Sequence, residues 1–400
     1  MASRPTVLFV GSGPIWRPEA GYLVRQRVFI DALSRFADVT LALFGLENET
    51  VPDEWAQRVV ALPAPGTVRM TRWSRWWGDL TDRRPRTVRA CATDASRRAV
   101  EALDPDRFDA VFAYRVDFAE WSGVLGRPGL LLDIDDPEAL RIRRRYEATG
   151  EAIDARSERD LLKLMRYEKH AASQAAAAFV CQPGDREALG VPTVRVVPNV
   201  VHTPQAPPDR DEVAQTLLFI GNLGGGATAP NGDGLLWFVR EIWPKVLASC
   251  GDAKLKVVGK TPPELATRLE GEPGVQRLGF VDDLGVVLDQ AAASIVPIRY
   301  GTGTRIKALD AMARACPVVS TAMGCDGIES GERSGVLVAD DPEGFASACI
   351  RMLSDTGAAR QIGLAGYEAV RRHYDRAAQV LALAKDLEDT IAPRSRSESG

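Results

Sequence analysis

The chain has 400 residues, too many for one ordinary hydrophobic core, so two domains of average size are expected. Its 45% apolar and 26% charged content is that of a soluble globular protein, and a net charge of −4 gives no footing for nucleic-acid binding. Six scattered cysteines without a Cys-x-x-Cys pair, and three histidines far apart in sequence, argue against a disulfide framework and a Cys/His zinc site.

The first apolar run, Thr6-Val-Leu-Phe-Val10, is too short for a signal segment or a spanning helix, and no stretch reaches ~18 apolar residues. A cytoplasmic protein that touches a membrane at most at its surface is expected. Strands are predicted at 7–11, 39–44, 110–114, 130–134, 178–182 and 194–198, with helices at 22–36 and 158–176 among them. A proline-dense, polar linker follows at 199–211. The rhythm then restarts, with strands at 216–221, 254–259, 276–280, 294–297, 318–321 and 335–338. Helices are predicted at 234–248, 342–354, 358–373 and 375–391. Such alternation argues for parallel sheets with crossover helices. The predicted fold class is α/β, two doubly wound Rossmann-like domains facing a cleft. The expected division is 1–205, 206–374, a last helix at 375–391 and a disordered tail at 392–400.

Open α/β sheets take ligands at the carboxyl ends of their strands, but this rhythm suits a dehydrogenase or a binding protein equally well. A dinucleotide is argued against locally. The turn Gly11-Ser-Gly-Pro-Ile-Trp16 has Trp16 where the third glycine belongs, and no acid ends the run 39–44.

The most informative segment is Pro297-Ile-Arg-Tyr-Gly-Thr-Gly-Thr-Arg-Ile-Lys-Ala-Leu-Asp-Ala-Met-Ala313. A buried strand leads into a loop with Gly301 and Gly303, then an amphipathic helix with Ile306, Leu309 and Ala313 on one face. The amides of Gly303 and Thr304 at the predicted helix start favour an anion, with Arg305 and Lys307 adding positive charge. Asp310, about one turn beyond Lys307, offers a carboxylate to sugar hydroxyls. A phosphate holder beside a diol holder is what a nucleotide sugar needs.

This stretch resembles the nucleotide-sugar site of the retaining GT-B glycosyltransferases called group 1 or family 4. The resemblance covers about 217–329 well and the first half weakly. It implies that Asp310 stands where the family holds the donor ribose with a glutamate, and that Arg305 and Lys307 act catalytically on the departing diphosphate. It also implies that Thr302 replaces a common acidic residue. The opening loop Phe219-Ile-Gly-Asn-Leu-Gly-Gly-Gly226 is similar to the family's first loop and places Asn222 and Gly224 by the donor, although the basic pair many relatives carry there is absent. The turn Gly279-Phe-Val-Asp-Asp-Leu284 resembles the family's base-binding turn, with Val281 at the base edge. Asp233 and Asp283 read as helix N-caps. Each of these loops also reads as a turn with no ligand role.

On the acceptor side, which the resemblance assigns to the first half, Gly21 and Arg25 could reach the cleft, or form a turn and a solvated helix face. Asp133, Asp135 and Asp136 gather at the end of a buried strand. Asp135 is assigned to acceptor positioning, with helix capping or a metal as other readings. Residues 69–98 hold nine arginines and Trp73, Trp76 and Trp77, with Arg141, Arg143, Arg144 and Arg145 further on. They suit anionic headgroups at the inner membrane face, a solvated hairpin with one Trp-lined face, or sugar rings stacked on Trp.

The expectation is a retaining glycosyltransferase that moves a sugar from a nucleotide sugar to a glycan or lipid-linked acceptor, without metal or cofactor. It would act in polysaccharide or lipid-linked glycan assembly, and the final helix would cross back to the first domain. A nucleotide-sugar epimerase and a non-catalytic nucleotide-sugar-binding subunit are the alternatives.

Overall fold

Apolar runs flanked by glycine and proline become the strands of two parallel sheets. The computed structural model describes residues 4–391 apart from 18–19, 69–70, 72, 74–76, 79–80, 83, 211–213 and 302–304, and only the backbone of 148, 149 and 214. The predicted tail at 392–400 lies outside the described residues.

The strands in chain order are β1 (Thr6–Ser12), β2 (Asp38–Phe44), β3 (Val59–Leu62), β4 (Gly66–Thr67), β5 (Cys91–Ala92), β6 (Ala110–Tyr114), β7 (Leu130–Asp135), β8 (Ala177–Val180) and β9 (Val194–Val196). Strands β4 and β5 form a small antiparallel pair. The others form a seven-stranded parallel sheet in the order β3-β2-β1-β6-β7-β8-β9. Its core is aromatic: Phe9 stacks on Phe112 with ring centres 5.0 Å apart, and the helix Gly21–Leu33 lays Phe29 against Phe112 and Phe179. The second sheet holds β10 (Ala214–Ile220), β11 (Lys254–Val258), β12 (Val275–Gly279), β13 (Ala291–Val296), β14 (Val318–Ser320) and β15 (Val336–Val338), in the order β12-β11-β10-β13-β14-β15. In both sheets the order reverses beside the first strand of the half, giving two Rossmann-like units.

Three differences from the predicted elements have local causes. Strand β3 was not predicted: its apolar run Val59-Val-Ala-Leu62 is only four residues long and lies on a largely half-exposed sheet edge, and so short a run does not distinguish a strand from a helix segment. The strand predicted at 178–182 stops at Val180, because Pro183 opens a helix and Gln182 becomes its N-cap. The helix predicted at 234–248 starts at Pro230 and runs as Pro230–Trp237, a π-turn Phe238–Ile242 and Trp243–Ser249. Pro244 has no N–H for the helical ladder, and the wide turn just before it absorbs the mismatch.

The chain divides into two compact units, one running to Pro198 and resuming at Ala378, the other Asn199–Ala377. The proline-rich stretch begins inside the second unit. Val201 bridges Asp375, and the Tyr367 hydroxyl donates to the carbonyl of Pro204 at 2.8 Å. The last helix, Arg376–Ile391, buries Val380, Leu383, Leu387 and Ile391. Within the first unit, Arg195 on β9 donates to Asp386 and Thr390 of that helix, each at 2.8 Å. Among the described residues no helix is long and apolar enough to cross a membrane.

Candidate functional site

In the second unit, strands β10 and β11 bring Gly221 and Gly259 together at their carboxyl ends. Gly259 has φ 130°, and a Cβ there would run into the carbonyl oxygen of Gly221. Only glycine allows this approach. The chain turns at Asn222, whose side-chain oxygen accepts from the amide of Gly224 at 2.9 Å. Asn231, in the first turn of the helix Pro230–Trp237, donates to the Asn222 carbonyl at 2.9 Å. Its own side-chain oxygen accepts from Lys307 Nζ at 2.6 Å. Lys307 lies in the first turn of the helix Ile306–Ala313, with Nζ 5.3 Å from the centre of the Phe219 ring. One polar chain, Lys307–Asn231–Asn222–Gly224, therefore joins two segments that are remote in sequence.

Burial, helped by the charge of Arg305, pulls the Lys307 ammonium down to about 7. Burial pushes the Asp310 carboxyl up to about 7. Arg305 is the N-cap residue, and its guanidinium lies so close to Gly301 (φ 133°) that a Cβ there would collide with it. Gly303 and Thr304, with Thr302, lie outside the described residues. Val281 is partly buried against an apolar cluster of the second unit that includes Leu218, Val258 and Leu288, and follows the 62% exposed Phe280. Asp283 caps the next helix, accepting from the Gly285 amide at 2.7 Å.

Asp233 is not the N-cap expected of it. Ala229 holds that position, and Asp233, inside the first turn, takes Arg299 in a two-pronged pair at 2.6 and 2.9 Å. The Tyr300 hydroxyl donates to the carbonyl of Thr228. Two ties thus clasp the loop after β13, one to the glycine loop and one to the helix that follows it. Beside them a cavity of about 350 Å³ is lined by Gly225, Gly226, Arg240, Arg268 and Arg299 among others. Sequence reasoning gave no role to Asn231, Arg299 or Tyr300. The Pro-Asn pair at the helix start was the available signal for Asn231; Arg299 and Tyr300 carried none.

In the first unit Arg25 departs from expectation. It is 3% exposed, so it is neither a solvated helix arginine nor open to a ligand. Its guanidinium grips Asp133 twice at 2.7 Å, donates to the Val197 carbonyl at 2.9 Å and lies 3.2 Å from Asp135. Burial opposes its charge, but Asp133 and Asp135 outweigh that and raise its pKa. Asp135 ends β7 with φ 62°, accepts from the Tyr114 hydroxyl at 2.9 Å and stays partly exposed. Gly21 is exposed at the start of its helix. The aspartates do not cap the helix Glu138–Thr149. Glu168 does, its buried carboxylate accepting from the amides of Glu138 and Ala139 at 2.7 and 3.3 Å.

Asp135, Asp136 and Cys181 bring ligand-type atoms within 4.8 Å of one another. The Cys181 thiol donates to Asp136 at 3.0 Å, and Arg25 and Tyr114 hold Asp135, so the trio is satisfied internally. Trp73 and Trp77 are 71% and 53% exposed, while Trp76 lies outside the described residues. The basic cluster is partly neutralised: Arg141 pairs with Glu138, and Arg144 lies 3.6 Å from Asp185.

Residues 214–355 match the family described as glycosyl transferases group 1. An uncharacterised 44.6 kDa protein of the cps region of Klebsiella pneumoniae is 25% identical over 168 residues, 40% of this chain and 42% of that protein, so the match spans under half of the relative. Two solved structures superpose on nearly all of the chain. Sucrose-phosphate synthase from Thermosynechococcus elongatus has a TM-score of 0.67 at 18% identity, covering 98% of this chain and all of that one. Anabaena HepE, solved with UDP and glucose, has a TM-score of 0.63 at 15% identity, covering 96% of this chain and all of that one. The shared architecture is the GT-B pair of Rossmann-like domains.

Proposed function

We propose that this chain, whose residues 214–355 belong to the group 1 glycosyl transferases, transfers a sugar from a nucleoside diphosphate sugar to an acceptor hydroxyl with retention at the anomeric carbon. The observation that carries the reading is the buried Lys307, held by Asn231 beside the glycine turn at Asn222 and Gly224. A cation already desolvated and oriented gains most where negative charge develops on a leaving diphosphate. Arg305 adds a second charge, and these two stand in for a divalent ion, so no metal is invoked. We assign Asp310 to the ribose, the amides of Gly303 and Thr304 to the phosphates, and Val281 to the base. On the acceptor side Gly21 and the partly exposed Asp135 position the acceptor, with Arg25 orienting Asp135 rather than meeting the ligand. The UDP bound by the Anabaena protein supports a uridine nucleotide as the first donor to try, and the cps-region relative supports a place in polysaccharide assembly; we take the enzyme to work in the cytoplasm.

The decisive experiment is calorimetric titration with UDP-, GDP-, ADP- and dTDP-sugars, beside Lys307→Ala. One nucleotide sugar binds the wild type selectively, and the variant turns over ~10²-fold more slowly. A folded Lys307→Ala protein with near-normal transfer removes Lys307 from the mechanism. Contact with the inner membrane face is part of the same reading, supported by the exposed Trp73 and Trp77. Flotation with anionic vesicles at low salt checks it, and protein left wholly in the unbound fraction rejects it.

A further inference from the structure

The helix Ala155–Gln174 of the first unit carries more apolar surface than its core face uses. Asp154 caps it, accepting from the amides of Arg156 and Ser157. Leu161, Leu164, Ala171 and Ala172 are buried on its inner face. Leu162 is not: it is 40% exposed, and the exposed Arg166 and Lys169 follow it at i+4 and i+7 on one stripe. Beside this stripe lies a cavity of about 280 Å³. Its apolar walls are Pro137 and Leu140, Leu162 and Met165, and Ala188 and Leu189, from three successive helices. None of the residues assigned above to donor or acceptor lines it.

Charge and size decide what such a groove takes. The ionisable groups on its lining are Arg166, Lys169 and Glu168. The Glu168 carboxylate is occupied by the amides of Glu138 and Ala139. Arg166 and Lys169 are exposed, and among the described residues neither is paired with a carboxylate. An apolar wall under two such cations suits an amphiphile with an anionic head. One turn of a partner helix, roughly 10 Å across and about 5.4 Å long, fills about 420 Å³, which is more than the groove holds. An extended hydrocarbon chain is thin enough to lie along it.

The same helix ties down the tryptophan-bearing segment. Lys163 Nζ donates to the Asp82 carbonyl at 2.8 Å, and Asp160 accepts from the Arg86 amide at 3.2 Å. Trp77, 53% exposed, lies five residues before Asp82. The groove and the Trp77 segment therefore flank one helix. We propose that the groove takes one acyl chain of an anionic phospholipid, its phosphate resting against Arg166 and Lys169. That the lipid comes from a bilayer rests on the membrane contact inferred above; the fit of groove to lipid does not.

The test uses the full chain and vesicles of phosphatidylglycerol mixed with phosphatidylcholine, a trace of the former carrying a diazirine on one acyl chain. Flotation reads affinity, and mass spectrometry locates the photo-cross-links. In the wild type the cross-links fall within 137–140, 162–169 and 188–189. Leu162→Gln removes them and weakens vesicle binding about tenfold, as withdrawing one leucine from hydrocarbon predicts. The double variant Arg166→Gln, Lys169→Gln weakens it about thirtyfold, as two charges near an anionic surface predict. All three side chains are exposed, and an unshifted urea midpoint reports that each variant is folded. Vesicle binding with cross-links outside the groove, or unaltered by Leu162→Gln, overturns the groove and leaves the membrane contact standing. A dimer in lipid-free solution that Leu162→Gln dissociates makes a second copy the occupant and overturns the lipid. Where vesicles do not bind, monomeric lysophosphatidylglycerol is titrated by calorimetry below its micelle concentration. Binding lost in Leu162→Gln then supports the groove and overturns the membrane contact, and no binding overturns both.

Discussion

Lys307 has its Nζ enclosed between Asn231 and the Phe219 ring, and burial with the Arg305 charge brings its pKa down to about 7. A diphosphate seated against it would favour the charged form and raise that value. The complex then holds more protons than the unbound protein above pH 7, so affinity through this group falls as pH rises, by up to about tenfold per unit. Asp310 acts with the opposite sign. Burial raises it to about 7, so a donor that needs the carboxylate binds better as pH rises through that value. At pH 8 Asp310 is mostly ionised and Lys307 dominates. Calorimetry at pH 8 in two buffers of different ionisation enthalpy shows proton uptake on nucleotide binding by the wild type and none by Lys307→Ala. Equal uptake by both places the titrating group elsewhere. Lys307 could be picked out by residue type and spacing, yet its partner Asn231 lies 76 positions away. Arg25 shows the reverse case: a helix arginine in sequence, it is sealed in the interior by Asp133, 108 positions on.

Among the elements, the helix Pro230–Trp237 does most to shape the donor side. It carries Asn231 and Asp233, and it approaches the end of β13 so closely that a Cβ on Gly234 would meet the Pro297 carbonyl oxygen. Helical geometry at Gly234 suits alanine, so the contact alone opposes it. Gly234→Ala should cost about 1–3 kcal/mol, as other overpacked sites do, and should weaken nucleotide binding because the Asn231–Lys307 and Asp233–Arg299 ties move with the helix. Urea unfolding and a nucleotide titration measure the two effects. An unshifted midpoint with unchanged affinity contradicts the close approach. The helix was legible as an apolar period, but its start was not. Asp233 looked like a cap because capping chemistry is local, while its engagement with Arg299 spans 66 positions.

At the scale of the whole molecule, the last helix changes allegiance along its length: from Ala378 onward it counts with the first unit. Its buried Val380, Leu383, Leu387 and Ile391 each stabilise by about 1.5–3 kcal/mol when fully enclosed. Truncation after Ala377 should therefore loosen the sheet holding β8 and β9 and leave the sheet holding β10 to β15 protected. Hydrogen exchange resolved by segment checks this, and uniform loss of protection in both sheets counts against it.

The sequence by itself determined the doubly wound alternation in both halves, the extent of most strands and of several helices, and the segment around Lys307. These rest on periodicity, punctuation by glycine and proline, and residue chemistry, all of which act over a few neighbouring positions. Only the tertiary structure decided which carboxylate neutralises Arg25, that Glu168 caps a helix starting 30 positions before it, and that Asn231 holds Lys307. It also decided that Arg115 and Asp135 adopt left-handed conformations at adjacent strand ends. Each of these follows from strands and helices that meet in space after long excursions of the chain, and no local pattern encodes such a meeting.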